Sequence, residues 1–379
     1  MKKFVFIAPE FHSIPPTYSA AVEWWVYNVA KTSQTKNLIV CKGEKTEKPI
    51  EQISEYSTIH RIYTSAIYKR FFRKWSRLDP SPYAKRVMDV VMCNQCQDDE
   101  NPILIIQNSI PLYNAIKTFY PEKLMVLHLH NKHRTTDLGS ETKLITPSHF
   151  LAHFFHSEVK IENIKVVPNG IDKTLYIQKS DWKRERFGLK DNETVILYAG
   201  RLDRGKGVIE LMDAVTLLHK KHQNIKLLMI GDHSTTKKGE REIYRKKVLD
   251  KASRMTDICI LAGSMLPADM HQVYPLADLT VVPSLGEEAF CMVALESMAC
   301  GVPVLVSPRG GIKEFVIPER TGFLLQEPLS PESIAKDILS TLLNNNLNVI
   351  AENAKETAIN QYDWTNVSMS LSEALAEWF

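Results

Sequence analysis

The sequence predicts an α/β protein of two doubly wound, Rossmann-like domains. Three observations predict it. Short aliphatic runs alternate with stretches of helical spacing, which implies parallel strands covered by helices. The alternation occurs as two series, separated by a turn and a charged stretch. At 379 residues the chain is also too long for one ordinary core, so two domains are expected.

The first run, FVFIA (4–8), follows two lysines in MKKFVFIAPEF. It is too short for a signal-peptide core with a cleavage site and reads as the first strand. Val22, Trp25, Val26 and Val29 then recur at i, i+3, i+4 and i+7, one face of a helix. NLIVC (37–41), ILIIQ (103–107), LMVLHLH (124–130), KLITP (143–147) and IKVVP (164–168) complete the first series of strands. The break falls at VVPNGIDKTLY (166–176), where Pro168, Asn169 and Gly170 make a turn and KSDWKRERFG follows. The second series is TVILYAG (194–200), IKLLMIG (225–231), ICILAG (258–263), LTVVPS (279–284) and PVLVS (303–307), with a helix over Val208–Leu218 after its first member. QYDWTNVSMSLSEALAEWF (361–379) is a final helix, expected to pack near the junction and cross back to the first domain. The expected domains are therefore 1–172, 173–360 and this helix. Two facing domains of this kind place their strand-end loops around one cleft, where a ligand is expected.

Composition excludes several classes. The chain is 44% apolar and 24% charged with a net charge of +3, so no general affinity for polyanions follows. No apolar run approaches the ~18 residues that span a bilayer. A cytosolic protein is expected, and six scattered cysteines agree with that. Cys93 and Cys96 form one C-x-x-C without a second ligand pair, which reads as two ordinary thiols. There is no Asp-x-Asp to chelate a metal, no G-x-G-x-x-G and no Walker loop.

The chemistry concentrates in the second series. AGRLDRGKG (199–207) follows a strand directly. Gly200 permits close backbone approach, and Arg201 with Lys206 puts two cations on a strand-end loop, which suits a diphosphate. Gly231 and Asp232, in GDH (231–233), make another strand-end turn that could touch a ligand or be only a turn. EEAFCMVALESMACGVP (287–303) carries Glu288 and Glu296 eight residues apart. A helix starting near Phe290 places Glu288 before it and Glu296 nearly two turns in. Val293, Ala294 and Met298 can face the core. An acid/base couple on one helix face would prefer a spacing of three or four. Two solvated charges and two separate ligand contacts both remain open on spacing alone. His128 and His130 share one face of their strand, with His130 nearer its end. Such a histidine is either a core residue or a ligand contact.

Taken together these pieces resemble the retaining GT-B glycosyltransferases of family four, the glycosyl transferases group 1. VVPNGID, YAGRLDRGKG, the Gly-Asp turn and EEAFCMVALESMACGVPVLVSPRGGIKEFV occur in that family's order and spacing. The resemblance implies a UDP-sugar donor, no metal and no other cofactor. Arg201 and Lys206 would hold the donor diphosphate and replace a metal as counter-charge. Glu296, in the E-x7-E pattern, would bind the ribose hydroxyls. Glu288 would bind the donor sugar, helped by backbone N–H groups along Ala289, Phe290, Cys291, Met292 and Val293. His130 would contact the same sugar, and the loop at Gly263, Ser264 and Met265 would receive the base. Tyr18, Ser19, Ala20 and Ala21 would lie near the diphosphate or acceptor. The chain departs from the pattern at Ala20-Ala21, where many members carry Gly-Gly, and at Cys291, where many carry glycine. IPPTYSAAVEWW, YKRFFRKWSRLDPSPYAKR and EEAFCMVA narrow the likeness to the lipopolysaccharide-core α-1,2-N-acetylglucosaminyltransferases.

That resemblance implies transfer of GlcNAc from UDP-GlcNAc to a glucose of the lipopolysaccharide outer core, at the cytoplasmic face of the inner membrane. The segment 60–86 holds eight Lys or Arg and one Asp among aromatic residues. It suits an anionic membrane surface or a phosphorylated glycolipid, with a solvated helix as the plain alternative. No RNA-binding motif accompanies it, so nucleic acid is not expected. Two rival functions stand beside the transferase: a UDP-sugar epimerase of GT-B architecture, and a non-catalytic sugar-nucleotide-binding protein.

Overall fold

The aliphatic runs form two sheets in the computed structural model, which describes residues 3–16, 20–64, 81–95, 101–133, 138–231 and 239–379. The chain divides into two units, Met1–Gly170 with Trp364–Phe379, and Ile171–Asp363.

In the first unit the strands are β1 (Phe4–Ile7), β2 (Asn37–Gly43), β3 (Ile50–Gln52), β4 (Ser57–Tyr63), β5 (Ile103–Gln107), β6 (Met125–His128), β7 (Leu144–Thr146) and β8 (Ile164–Val166). Among the described residues they form an eight-stranded sheet in the order β3-β4-β2-β1-β5-β6-β7-β8. Only β3, at the edge, runs antiparallel to its neighbour. The helices are α1 (Ala21–Thr32), α2 (Ser81–Gln95), α3 (Ile110–Lys117) and α4 (His149–Phe155). α1 forms where the apolar spacing predicts it. Trp25, Val26, Val29 and Ala30 are fully buried against Phe6, Ile105 and Val126.

β4 (STIHRIY) was not among the predicted strands, because His60 and Arg61 interrupt its apolar pattern. Arg61 belongs to the basic stretch expected to meet solvent or membrane. It is instead buried in the sheet, donating to Ile14 O at 2.7 Å and Glu51 Oε2 at 2.6 Å. Tyr83, also in that stretch, is buried and donates to Ala8 O at 2.9 Å. Arg61 and Tyr83 are thus structural, whereas Lys85 and Arg86 on α2 are exposed; the centre of the stretch, including Lys69, Arg70, Arg73 and Lys74, lies outside the described residues.

The second unit holds β9 (Thr194–Ala199), β10 (Ile225–Ile230), β11 (Cys259–Gly263), β12 (Leu279–Val282), β13 (Val304–Val306) and β14 (Phe323–Leu324). Their order is β11-β10-β9-β12-β13-β14, all parallel. The helices are α5 (Lys173–Tyr176), α6 (Val208–His219), α7 (Glu240–Ala252), α8 (Met270–Val273), α9 (Met292–Ala299), α10 (Pro331–Leu342) and α11 (Leu347–Gln361). The strands read as continuous apolar runs because both faces are covered. In β9, Ile196 and Tyr198 face Val208, Leu211 and Ile334, whereas Val195 and Leu197 face Ala294, Leu295 and Met298. The order reverses between β9 and β12, so the loops leaving those two strands frame the topological switch point where such sheets bind ligands.

The chain then returns to the first unit as α12 (Trp364–Ala376). Its Trp364, Val367, Leu371 and Leu375 join the core of that unit, and the helix packs on α1. No described helix is long and apolar enough to cross a membrane.

Candidate functional site

β9 delivers the chain to Gly200 at the switch point, and the neighbouring strand ends are laced together there. Gly200 N donates to Ile230 O at 2.9 Å, and Gly231 N donates to Gly263 O at 2.8 Å. Gly231 has φ +150°, and a Cβ on it would lie 1.9 Å from Gly200 O. Only glycine lets these two loops run side by side. Ser264 is exposed and Met265 half-buried just beyond β11. Asp232 lies outside the described residues, as do Tyr18 and Ser19.

The loop after β9 is fastened to the loop after β12. Gly205 O accepts from Leu285 N at 2.9 Å and Gly286 N at 3.0 Å. Lys206 Nζ then reaches Glu288 Oε1 at 2.7 Å, and Ser284 Oγ donates to the same oxygen. Both bonds fall on Oε1, and Oε2 has no partner among the described residues. The ammonium has three donors, so its bond to Glu288 leaves two for a ligand. Arg201 is held by its backbone, whose O accepts from Tyr198 OH at 2.7 Å. Its guanidinium lies 3.4 Å from Asp203 Oδ2 with 55% of the side chain exposed. Two cations and two carboxylates thus sit on two adjacent strand-end loops.

Glu288 is placed by the loop after β13. Its backbone O accepts from Gly311 N at 2.7 Å, and it pairs with Gly310 in a parallel bridge. At Gly310 φ is +74°, and an added Cβ would meet Glu288 O at 2.1 Å.

The following helix, expected to start near Phe290, starts at Met292 because Cys291 is left-handed, with φ +89°. Among the described residues no side-chain oxygen caps α9; the Ala294 N–H faces the Cys291 sulfur, which leaves the N–H groups of Met292 and Val293 for an acceptor. The Phe290 ring is buried, stacked on Phe315 at 5.0 Å, which leaves only its backbone for a ligand. Burial pushes the Cys291 thiol up to about 12, so it stays protonated and is no nucleophile. Ala294 and Met298 are fully buried, whereas Val293 is half-buried.

Glu296 sits on α9, half-buried, and Tyr274 OH donates to its Oε2 at 2.7 Å. Burial raises its pKa to about 7, against the lowering effect of the Tyr274 and Tyr176 phenols. Sequence reasoning missed these tyrosines and Ser284. The tyrosines look like core aromatics, and only the i, i+4 spacing of Ser284 and Glu288 could have signalled their contact.

In the first unit, His130 is buried beside Trp25 and His128, with ring centroids 5.9 Å and 4.0 Å away. Its backbone N donates to Asn108 Oδ1 at 3.1 Å, but its ring nitrogens have no hydrogen-bond partner among the described residues. Burial, then the nearby His133, lowers its pKa to about 3, so the imidazole is neutral and offers one donor and one acceptor. Ala20 precedes α1 in extended conformation, and Ala21 is its first residue.

Comparison with known proteins bears on this arrangement. Residues 179–357 match the family model of the glycosyl transferases group 1. The whole chain is 39% identical over 380 residues to the lipopolysaccharide 1,2-N-acetylglucosaminetransferase of Salmonella typhimurium, covering 100% of this chain and 99% of that protein. A solved glycosyltransferase from Rickettsia africae superposes with a TM-score of 0.77 at 19% identity, covering 100% of this chain and 98% of that one. An Anabaena protein solved with UDP-glucose gives 0.74 at 22% identity, with 100% of both chains covered. The fold is GT-B.

Proposed function

The chain belongs to the glycosyl transferases group 1 and is a sugar transferase; from that premise we propose that it moves GlcNAc from UDP-GlcNAc onto a glucose of the lipopolysaccharide outer core, with retention. The observation that carries the site is the meeting of Lys206 with Glu288 where the loops after β9 and β12 frame the switch point, with Arg201 on the same loop. The full-length likeness to the Salmonella lipopolysaccharide 1,2-N-acetylglucosaminetransferase supports the donor and acceptor.

In this reading Arg201 and Lys206 bind the diphosphate, and Glu288 accepts from sugar hydroxyls. Glu296 accepts from the ribose, and neutral His130 bonds a hydroxyl of the donor sugar. The residues around Gly263, Ser264 and Met265 receive the base, and Gly200, Gly231 and the open N-terminus of α9 let the donor approach the backbone. The acceptor oxygen bonds to the anomeric carbon from the side the leaving group departs. The bond from that carbon to the diphosphate breaks, and the acceptor proton passes to a diphosphate oxygen. The two cations stabilise the charge that develops there, so no metal is needed. The basic centre of segment 60–86 would hold the protein to the anionic cytoplasmic face of the inner membrane.

The test is incubation with UDP-GlcNAc, with and without truncated lipopolysaccharide in anionic vesicles, following UDP release and co-sedimentation. Acceptor-dependent release is expected, lowered about 10²–10³-fold by Arg201→Ala with the fold intact. A changed sugar without release would make the protein an epimerase, and neither outcome would make it a binding protein. Absence from the vesicle pellet would remove the membrane from the reading.

A further inference from the structure

We propose that Tyr176 and Tyr274 are positioning residues that hold the Glu296 carboxylate charged and oriented for its nucleotide ligand. The inference rests on the reading of Glu296 as the ribose acceptor. The two tyrosines come from separate elements, α5 and the turn Tyr274–Leu276. Both side chains are buried, Tyr274 completely. Phenylalanine would fill the same space, and a buried hydroxyl is costly unless bonded. Tyr274 spends its O–H on Glu296 Oε2 at 2.7 Å, and the Tyr176 phenol lies near enough to the same carboxylate to act on its charge.

Burial pushes both phenols well above their ordinary range, so they remain donors at all working pH. An ionised carboxylate has about four acceptor positions. The Tyr274 bond takes one and leaves about three, enough for the two free hydroxyls of a ribose. Other titratable groups of this cluster are Cys291 and Cys300 at the two ends of α9, Glu288 and Lys206 acting on Cys291, Asp172 acting on Tyr176, and His271, whose ring centroid lies 6.5 Å from that of Tyr176. Burial pushes both thiols up to about 12, and Lys355 of α11 acts on Cys300. Burial raises Glu296 to about 7, so its own charge changes near neutrality. Its charged form is the acceptor. Removing a phenol weakens that form, raises the carboxyl pKa and moves the loss of ligand binding to higher pH.

Three single variants, Tyr176→Phe, Tyr274→Phe and Glu296→Gln, test this with UDP as the probe. Affinity is measured by calorimetry across about two pH units on either side of neutrality. The titration of UDP is common to all the proteins and cancels in the comparison. Each phenylalanine variant should bind UDP about tenfold more weakly at neutral pH. The deficit should shrink as pH rises, and KM for the donor should rise far more than kcat falls. Glu296→Gln should bind weakly with the carboxylate step gone from its profile. Phenylalanine variants with an unshifted profile, or with a deficit constant in pH, would overturn the positioning role while leaving Glu296 as the ribose acceptor. Unchanged UDP affinity in Glu296→Gln would overturn that reading and the proposal together.

Discussion

Cys291 occupies a backbone conformation that favours glycine, between the two glutamates of the motif, with φ +89°. A side chain with Cβ pays about 1–3 kcal/mol there. Alanine would keep that strain and lose the sulfur, whereas glycine would relieve it. Cys291→Gly should therefore be more stable than Cys291→Ala by about 1 kcal/mol in denaturant unfolding, the reverse of the usual order. Alanine as the more stable of the two would show that the strain is not borne by the side chain. The departure from the family pattern at this position was legible in the sequence, but its conformational cost was not, since φ depends on where α9 begins. Arg201, Lys206 and Glu288 could be placed on strand-end loops from sequence because each directly follows an aliphatic run. The Lys206–Glu288 bond could not, because it joins residues 82 apart through backbone contacts that carry no side-chain signal.

At the scale of elements, the strands that were legible are those with unbroken aliphatic runs covered on both faces. β4 was not, because its buried Arg61 reads as a surface charge, and β14 spans only Phe323–Leu324. The loop after β13 is a part of the candidate site whose mechanical role emerges only in three dimensions. Gly310 lets that loop lie against the Glu288 backbone, where an added Cβ would be 2.1 Å from the carbonyl. Gly310→Ala must displace Glu288 and with it the partner of Lys206. A loss of about 1–3 kcal/mol in stability and a weaker UDP-sugar affinity are expected together. Gly188 is the control, with φ +69° and nothing within 4 Å of an added Cβ. Gly188→Ala should cost about 1–2 kcal/mol and leave UDP-sugar affinity unchanged. Equal affinity losses in the two variants would show that the effect of Gly310→Ala is general destabilisation and not displacement of Glu288.

At the scale of the whole molecule, the two units differ in how they use the chain. The second is one continuous segment, and its ends lie side by side, with Ile171 N donating to Tyr362 O at 2.8 Å and Ile171 bridged to Asp363. It has its own core on both faces of its sheet. The first is completed only by α12, whose Val367, Leu371 and Leu375 are buried in the same cluster as Trp25. Each aliphatic side chain contributes about 1.5–3 kcal/mol on burial. Losing three removes about 4.5–9 kcal/mol, comparable with the about 5–15 kcal/mol that stabilises a typical domain. The segment 171–363 should therefore unfold cooperatively by itself and bind UDP, whereas 1–170 should not fold. Joining Gly170 to Trp364 through a short Gly/Ser linker should restore the first unit, because α12 then returns to its place on α1. Circular dichroism during denaturation and calorimetry with UDP measure both halves of this expectation. A folded 1–170 as stable as its linked form would show that α12 is dispensable, and a non-cooperative 171–363 would show that the second core does not suffice alone.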